Sequence, residues 1–331
     1  MSRRALTHAL ATALAVLVAT SATGVRGEEA RKPVRLGLLS PDGTFSDTSP
    51  LLAAFRRGLA ERGWVEGQNV VLVRRDSGGE SAAFLGNTLL ALDVDAIVSA
   101  STAGTRVARD ATTTLPIIFV GVSDPVGSGL VSSLGTGRPE NLTGLMDVDP
   151  QSSARALALL KHAAPTMTRL ALLVHPGAPM AAVYVSEVEA MAGSLGITVH
   201  RRTVQRAEDL AGALTGIIAD YDQALLVLPH PLFNVLRRSL IAFAAQQRLP
   251  AAYAYRAFAA EGGFMTYGTD MSDLYRRAAG VVDRVLRGAA PGEVPIEGPT
   301  KSYFVINLRA AHGLRVNVTD SLKRQADQLI E

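Results

Sequence analysis

A chain of 331 residues, 48% hydrophobic and 19% charged, is longer than one hydrophobic core usually organises, so two domains are expected. Its formal charge of +3 comes from Arg3, Arg4 and Arg26, in a stretch ending at Gly27 that holds no acid; from Glu28 onward 30 basic residues face 30 acidic ones. A neutral chain carries no electrostatic footprint for nucleic acid or an acidic membrane surface. The lack of any cysteine excludes disulfides, thiolate chemistry and a lipidated cysteine.

Arg3 and Arg4 precede an apolar run from Ala9 to Ala22, followed by small residues and then Glu28-Glu29. This reads as a secretory signal peptide over residues 1–27, cut after Ala22, Gly24 or Gly27. The run is too short to span a bilayer comfortably. Ser2-Arg3-Arg4 partly matches a twin-arginine signal and Thr7 departs from it, which leaves the export route open. The mature protein is expected free in the periplasm, unlipidated.

Val34–Leu39 is a first predicted strand, ending in the loop Ser40-Pro41-Asp42-Gly43. Leu51, Leu52, Phe55 and Leu59 mark a helix that Gly63 stops. Val70–Val73 is a second strand, Phe84–Leu92 a helix, and Ala96–Val98 a third strand, after which Ser101 and Thr102 open a helix running to about Ala111. Pro116–Val120 is apolar at every position, as in a strand buried on both faces, and Ser123-Asp124-Pro125 reads as the start of another helix. Leu142–Leu145 is a short fifth strand. Strands alternating with helices at this spacing give a parallel sheet with right-handed crossovers.

The alternation restarts after Asp147–Ser152. Helices are predicted over Ala154–Ala163, Ala181–Leu195, Leu210–Ile218, Val235–Gln247 and Leu274–Leu286. Strands are predicted over Leu170–Val174, Ile197–Val199, Ala224–Leu228, Ala251–Tyr253, Phe264–Tyr267 and Phe304–Ile306, with a last amphipathic segment from Leu322 to Ile330. The fold class is therefore α/β, with two Rossmann-like lobes of parallel sheet. The chain is expected to cross between lobes more than once, near Tyr267 and Pro295.

In such folds ligands lie beyond the carboxyl ends of the strands, which selects the candidate residues. Ser101 and Thr102 either cap a helix or present hydroxyls and amides to a ligand carboxylate. Ser123 and Asp124 stand at the matching place after the next strand, where Asp124 either caps or binds an ammonium or hydroxyl group. Ser40, Asp42 and Phe45 lie in a loop that could wall a cleft, Phe45 by stacking on a ring. His175, His230, Tyr253 and Tyr255 follow strands of the second lobe, with partial burial as their other reading. Asp270 caps a helix or reaches into the cleft. The six histidines are scattered with no i, i+4 pair, so no metal is expected. Gly127-Ser128-Gly129 lacks the third glycine of a dinucleotide fingerprint, and neither a phosphate loop nor a G-x-S-x-G elbow occurs. No cofactor and no catalytic residue are expected.

The phrases GLAERGWVEGQNV (58–70), FVGVSDPVGSGLVSSL (119–134), NLTGL (141–145), LLVLPHPLFNVLRRSLIAFAAQQRLPAAYAYRAFAAEGGFMTYG (225–268), DLYRRAAGVVDRVLRG (273–288) and PTKSYFVINLRAAHGL (299–314) resemble the periplasmic substrate-binding components of ABC transporters. The resemblance is to the family that includes tryptophan- and other aromatic-amino-acid-type binding proteins. It implies the type I periplasmic-binding-protein fold, with three interlobe crossovers and a ligand cleft. Lobe 1 would comprise 28–147 and about 269–298, lobe 2 148–268 and about 299–331. It also implies a monomeric solute receptor for a small, carboxylate-bearing or aromatic amino-acid-like ligand, with a membrane permease and its ATPase as partners and no nucleic acid. His230 and the loop Gly135–Glu140 depart from the family pattern. Two other readings stay open: a ligand-sensing module signalling through a membrane partner, and a periplasmic hydrolase or transferase on a similar scaffold.

Overall fold

The computed structural model describes residues 32–41, 43–76, 88, 91, 93–178 and 180–331. The expected signal peptide, Asp42 and nearly all of the expected helix over 84–92 lie outside these residues. Among the described residues the strands form two sheets.

The first sheet contains β1 (Val34–Ser40), β2 (Val70–Asp76), β3 (Ala96–Ala100), β4 (Ile117–Val120) and β5 (Leu142–Leu145), in the order β2-β1-β3-β4-β5. Every pairing is parallel. The unbroken apolar run of β4 follows from its place in the sheet. Ile118 and Val120 pack on one face against α1 (Pro50–Ala60) and α9 (Met271–Leu286), while Ile117 and Phe119 pack on the other with Ala108 of α2 (Ser101–Ala111). Alternate strand residues point to opposite faces, so a strand covered on both sides needs apolar residues throughout. Ser49 caps α1 by accepting from the amides of Leu51 and Leu52.

The second sheet contains β6 (Arg169–Val174), β7 (Thr198–Thr203), β8 (Leu225–Val227), β9 (Ala251–Tyr253), β10 (Met265–Thr269), β11 (Ser302–Asn307) and β12 (Gln328–Ile330). Their order is β12-β11-β10-β9-β8-β6-β7. On one face lie α3 (Ser152–Ala163) and α4 (Ala181–Ser194), with Leu157, Leu160 and Val188 against Leu170 and Leu172. On the other lie α5 (Leu210–Ala219) and α7 (Arg237–Gln246), with Ile217, Leu240 and Phe243 against Leu173, Leu225 and Val227. One pairing is not parallel: β10 runs antiparallel to β11. The cause is the path of the chain. β10 ends where the chain leaves for the first lobe and β11 begins where it returns, so both meet the lobe boundary and must run in opposite senses. The amide of Asp270 donates to Lys301 O at 3.0 Å across this point.

Three local expectations are corrected. The stretch after β4 is a run of turns, not a helix: Ser128 N–H donates to Asp124 O, Gly129 N–H to Val126 O and Leu130 N–H to Pro125 O. Two glycines within three residues, Gly129 at φ +69°, oppose helix propagation. The helix expected over Val235–Gln247 begins only at Arg237 as α7, and a separate short helix, α6 (Pro231–Val235), started by Pro231, ends at Val235 before it. The last segment is a short helix, α11 (Asp320–Gln325), and the edge strand β12 on β11. Two further short helices, α8 (Arg256–Ala260) and α10 (Leu308–Leu314), lie between.

Val34–Glu331 form one compact unit in which the chain passes between the sheets three times: from β5 to α3, from β10 to α9, and from the end of α9 to β11. The crossings are laced together. Met146 N–H donates to Glu297 O at 2.8 Å, and Thr269 Oγ1 donates to Asp147 O at 2.6 Å. The loop Gly135–Glu140 is tied down by Arg138, whose buried guanidinium donates to Gly135, Leu142, Pro291 and Val294 carbonyls.

Candidate functional site

The carboxyl ends of β3, β4 and β5 face those of β8 and β9 across a cleft of about 550 Å³. Its first wall is Ser101, Thr102 and Ala103 after β3, and Gly121 and Ser123 after β4. Its floor is the crossing segments, with Asp147, Gly268, Thr269 and Met271. Its second wall is Met180 and Tyr184 from α4, the Pro229-His230-Pro231 turn, and Tyr255. Among the described residues no arginine or lysine lines it.

The first wall offers hydroxyls and backbone amides and, among the described residues, no cationic side chain. Ser101 starts α2 in the left-handed region at φ +64°, a costly conformation for a residue with a Cβ and one that gathers at binding sites. Thr105 Oγ1 donates to Ser101 O at 2.7 Å and shares a 3.0 Å hydrogen bond with Ser99, which holds the turn. The first amides of a helix have no intrahelical acceptor, and Ala100 gives α2 no side-chain cap. The helix dipole adds partial positive charge at the same place.

Asp147 supplies the opposite charge. Its Oδ1 is shut off from solvent and has no hydrogen-bond partner among the described residues. Burial raises its pKa above the ordinary carboxylate value, and the Ser123 hydroxyl, within hydrogen-bonding reach, offsets this in part. Tyr184 and Tyr255 stand close enough that burial, and after it the Asp147 charge, push both phenols to higher pKa. His230 is pushed down to about 4 by burial and by His175. Its ring stacks on that of His175 with centroids 3.6 Å apart.

Of the residues proposed from sequence, Ser101, Thr102, Ser123, His230 and Tyr255 come together in the cleft, and His175 backs His230. The others do not line it. Phe45 is fully buried against Phe55 and Tyr275, because its loop folds inward beneath α1 and α9. Ser40 is buried and accepts from the Phe45 amide at 3.1 Å. Asp124 closes its own turn by accepting from Gly127 N–H at 2.7 Å. Tyr253, still within β9, points into the core and stacks on Phe258 at 4.3 Å. Asp270 caps α9 by accepting from Asp273 N–H at 3.0 Å. Asp42 lies outside the described residues.

Sequence reasoning missed Asp147, Tyr184, Ser152 and Thr269. A signal for Asp147 was present, since it follows β5 as Ser123 follows β4. Tyr184 sits mid-helix at a core-spaced position, and nothing local marks it.

The family model described as "ABC transporter substrate binding protein" matches residues 50–330. A "Tyrosine-binding protein" from Clostridioides difficile (strain R20291) is 22% identical over 259 residues, 76% of this chain and 73% of the relative. Among solved structures, an ABC domain in complex with L-Trp from Streptococcus pneumonia superposes with a TM-score of 0.75 at 24% identity, over 90% of this chain and 100% of that one. The ligand-free, open structure of a substrate binding protein with adhesive properties from Clostridium difficile gives 0.74 at 18% identity, over 90% and 99% of the two chains. At these identities the structures show that the fold is shared.

Proposed function

The chain belongs to the ABC transporter substrate binding protein family, and from that premise we propose that it is the solute receptor of an importer whose ligand is a small zwitterion of amino-acid type. The observation that carries this is Asp147: a buried carboxyl group with an oxygen that has no partner among the described residues, in a cleft that none of their arginines or lysines line. A bare buried carboxylate is costly, and a charged donor is the natural partner for it. The α-ammonium group of the ligand takes that place. Its carboxylate lies against the amides and hydroxyls of Ser101, Thr102 and Ser123 at the start of α2, where neutral donors and the helix dipole suffice. The side chain then falls between Met180, Tyr184 and Tyr255. The tyrosine named for one relative and the L-Trp bound in one structural neighbour support this ligand class.

The work is binding, without catalysis. A ligand held by both lobes favours the closed state only through the contacts that exist when the lobes meet. The closed form then presents both lobes to a membrane permease with its ATPase. Export to the periplasm rests on the N-terminal signal expected from sequence. Among the described residues no helix is long and apolar enough to cross a membrane.

Native mass spectrometry of the undenatured protein should show a bound mass in the amino-acid range, and calorimetric titration should identify it among the common amino acids. Thr102→Ala removes a hydroxyl that faces a charged group, worth about 1.5–3 kcal/mol, so affinity should fall roughly 10- to 150-fold. If no amino acid binds, or the ligand proves to lack an amine, the proposal fails.

A further inference from the structure

His230 occupies the cleft wall of the second lobe with one ring nitrogen committed and the other not. It is the N-terminal cap of α6, and its Nδ1 accepts from Leu232 N–H at 3.2 Å. A nitrogen that accepts carries no proton, so in the neutral ring the proton sits on Nε2. His175, stacked on it with 11° between the planes, is fixed in the same form. Its Nδ1 accepts from Gly177 N–H at 3.1 Å, and its Nε2 lies 3.2 Å from Gln205 O, to which only an N–H can donate. In both rings Nδ1 is thus the acceptor, which leaves Nε2 as the donor. Burial, and after it the His175 ring stacked with centroids 3.6 Å apart, holds the His230 pKa down at about 4. Phe233 meets the His230 ring edge-on at 6.1 Å. The hydrogen bond, the stack and this contact together fix where the ring points.

What remains is a single neutral N–H donor. Among the described residues Nε2 of His230 has no hydrogen-bond partner, the hydroxyls of Tyr184 and Tyr255 on the same wall included. We infer that His230 is the specificity-determining residue of the cleft, its Nε2–H selecting neutral ligand side chains that end in a hydrogen-bond acceptor. This rests on the reading of the cleft as an amino-acid site, with the backbone end of the ligand held at Asp147 and the start of α2. A hydroxyl, phenol, amide carbonyl or sulfoxide answers the donor. A hydrocarbon leaves it unpaired, and an indole, whose N–H only donates, sets donor against donor. A side-chain carboxylate accepts, but it adds a second negative charge to a cleft that no arginine or lysine among the described residues lines.

The test is calorimetric titration of wild type, His230→Asn and His230→Gln with two pairs of probes, L-tyrosine with L-phenylalanine and L-methionine sulfoxide with L-methionine, and with L-tryptophan. Asparagine retains an acceptor for the Leu232 amide and is too short to place a donor where Nε2 sits. Glutamine places its amide nitrogen near that position. Wild type should prefer the acceptor-bearing member of a pair by about 2- to 12-fold. The preference should collapse in His230→Asn, with thermal melting unmoved, and return in part in His230→Gln. A preference unchanged in His230→Asn, with the probes still binding, overturns this inference alone. If none of the probes binds wild type, the amino-acid reading falls and takes this one with it. Independently of any ligand, long-range proton–nitrogen correlation of the histidine rings should show His230 as neutral Nε2–H near neutral pH. The Nδ1–H form, or an imidazolium, overturns the inference.

Discussion

Asp147 illustrates how a buried acidic group strains the fold that carries it. Its pKa is raised by burial, so the folded state holds a proton that the unfolded chain releases. The sign follows from that difference. The contribution of Asp147 to stability is fully present below the ordinary carboxylate pKa and is lost as pH rises through its raised folded value. Above that window the ligand-free protein carries the cost of an ionised, under-bonded group. Asp147→Asn is therefore expected to raise the melting temperature near neutral pH and to flatten its pH dependence between the two values. The same change should weaken ligand binding at least about 30-fold, since an ammonium group loses its counter-charge. Melts across pH, with titration of the same variant, check both arms. A melting temperature lowered at neutral pH would show that the carboxylate is already well paired without ligand.

The packing of α1 on α9 shows why one element tolerates little change. Trp64, just beyond α1, donates its indole N–H to Asp283 of α9 at 2.9 Å. At Gly58 the two helices come so close that an added Cβ would lie 2.2 Å from the carbonyl oxygen of Arg276. That oxygen is backbone and cannot rotate away. Gly58→Ala must push the helices apart, and its overpacking should cost about 1–3 kcal/mol, outweighing the gain in helix propensity. Chemical denaturation measures this, and a variant as stable as wild type would mean that α9 shifts freely on α1. Ligand affinity should change little, because α1 does not line the cleft.

At the scale of the whole molecule, the cleft and the crossings between the two sheets are built from the same residues. Asp147, Gly268 and Thr269 line the cleft and lie on the crossing segments. Gly268 has no room for a side chain, since an added Cβ would sit 2.3 Å from Ala254 O. A ligand held at Asp147 as proposed would therefore act directly on the segments that join the two sheets. We expect small-angle scattering to show a smaller radius of gyration at saturation with the cognate ligand. An unchanged profile would mean that the lobes are fixed in one arrangement.

The sequence by itself determined what local chemistry can specify. The apolar runs of β4 and β6, the cap at Asp270, and the glycine beyond α1 declared strands, helices and their ends, because periodicity and capping act within a few residues. The same logic placed Ser101, Thr102 and Ser123 at strand ends, where an α/β fold puts its ligand. It could not tell Tyr255, beyond the end of β9 and in the cleft, from Tyr253, held by the pleat in the core. It could not see that Phe45 turns inward, nor that His175 stacks on His230 from 55 positions away. The antiparallel β11 and the isolation of Asp147 were likewise beyond it. These depend on which segments meet across the lobes and on what is left to satisfy each polar group once they have met. Only the tertiary structure decided them, because burial and pairing belong to neighbours distant in sequence.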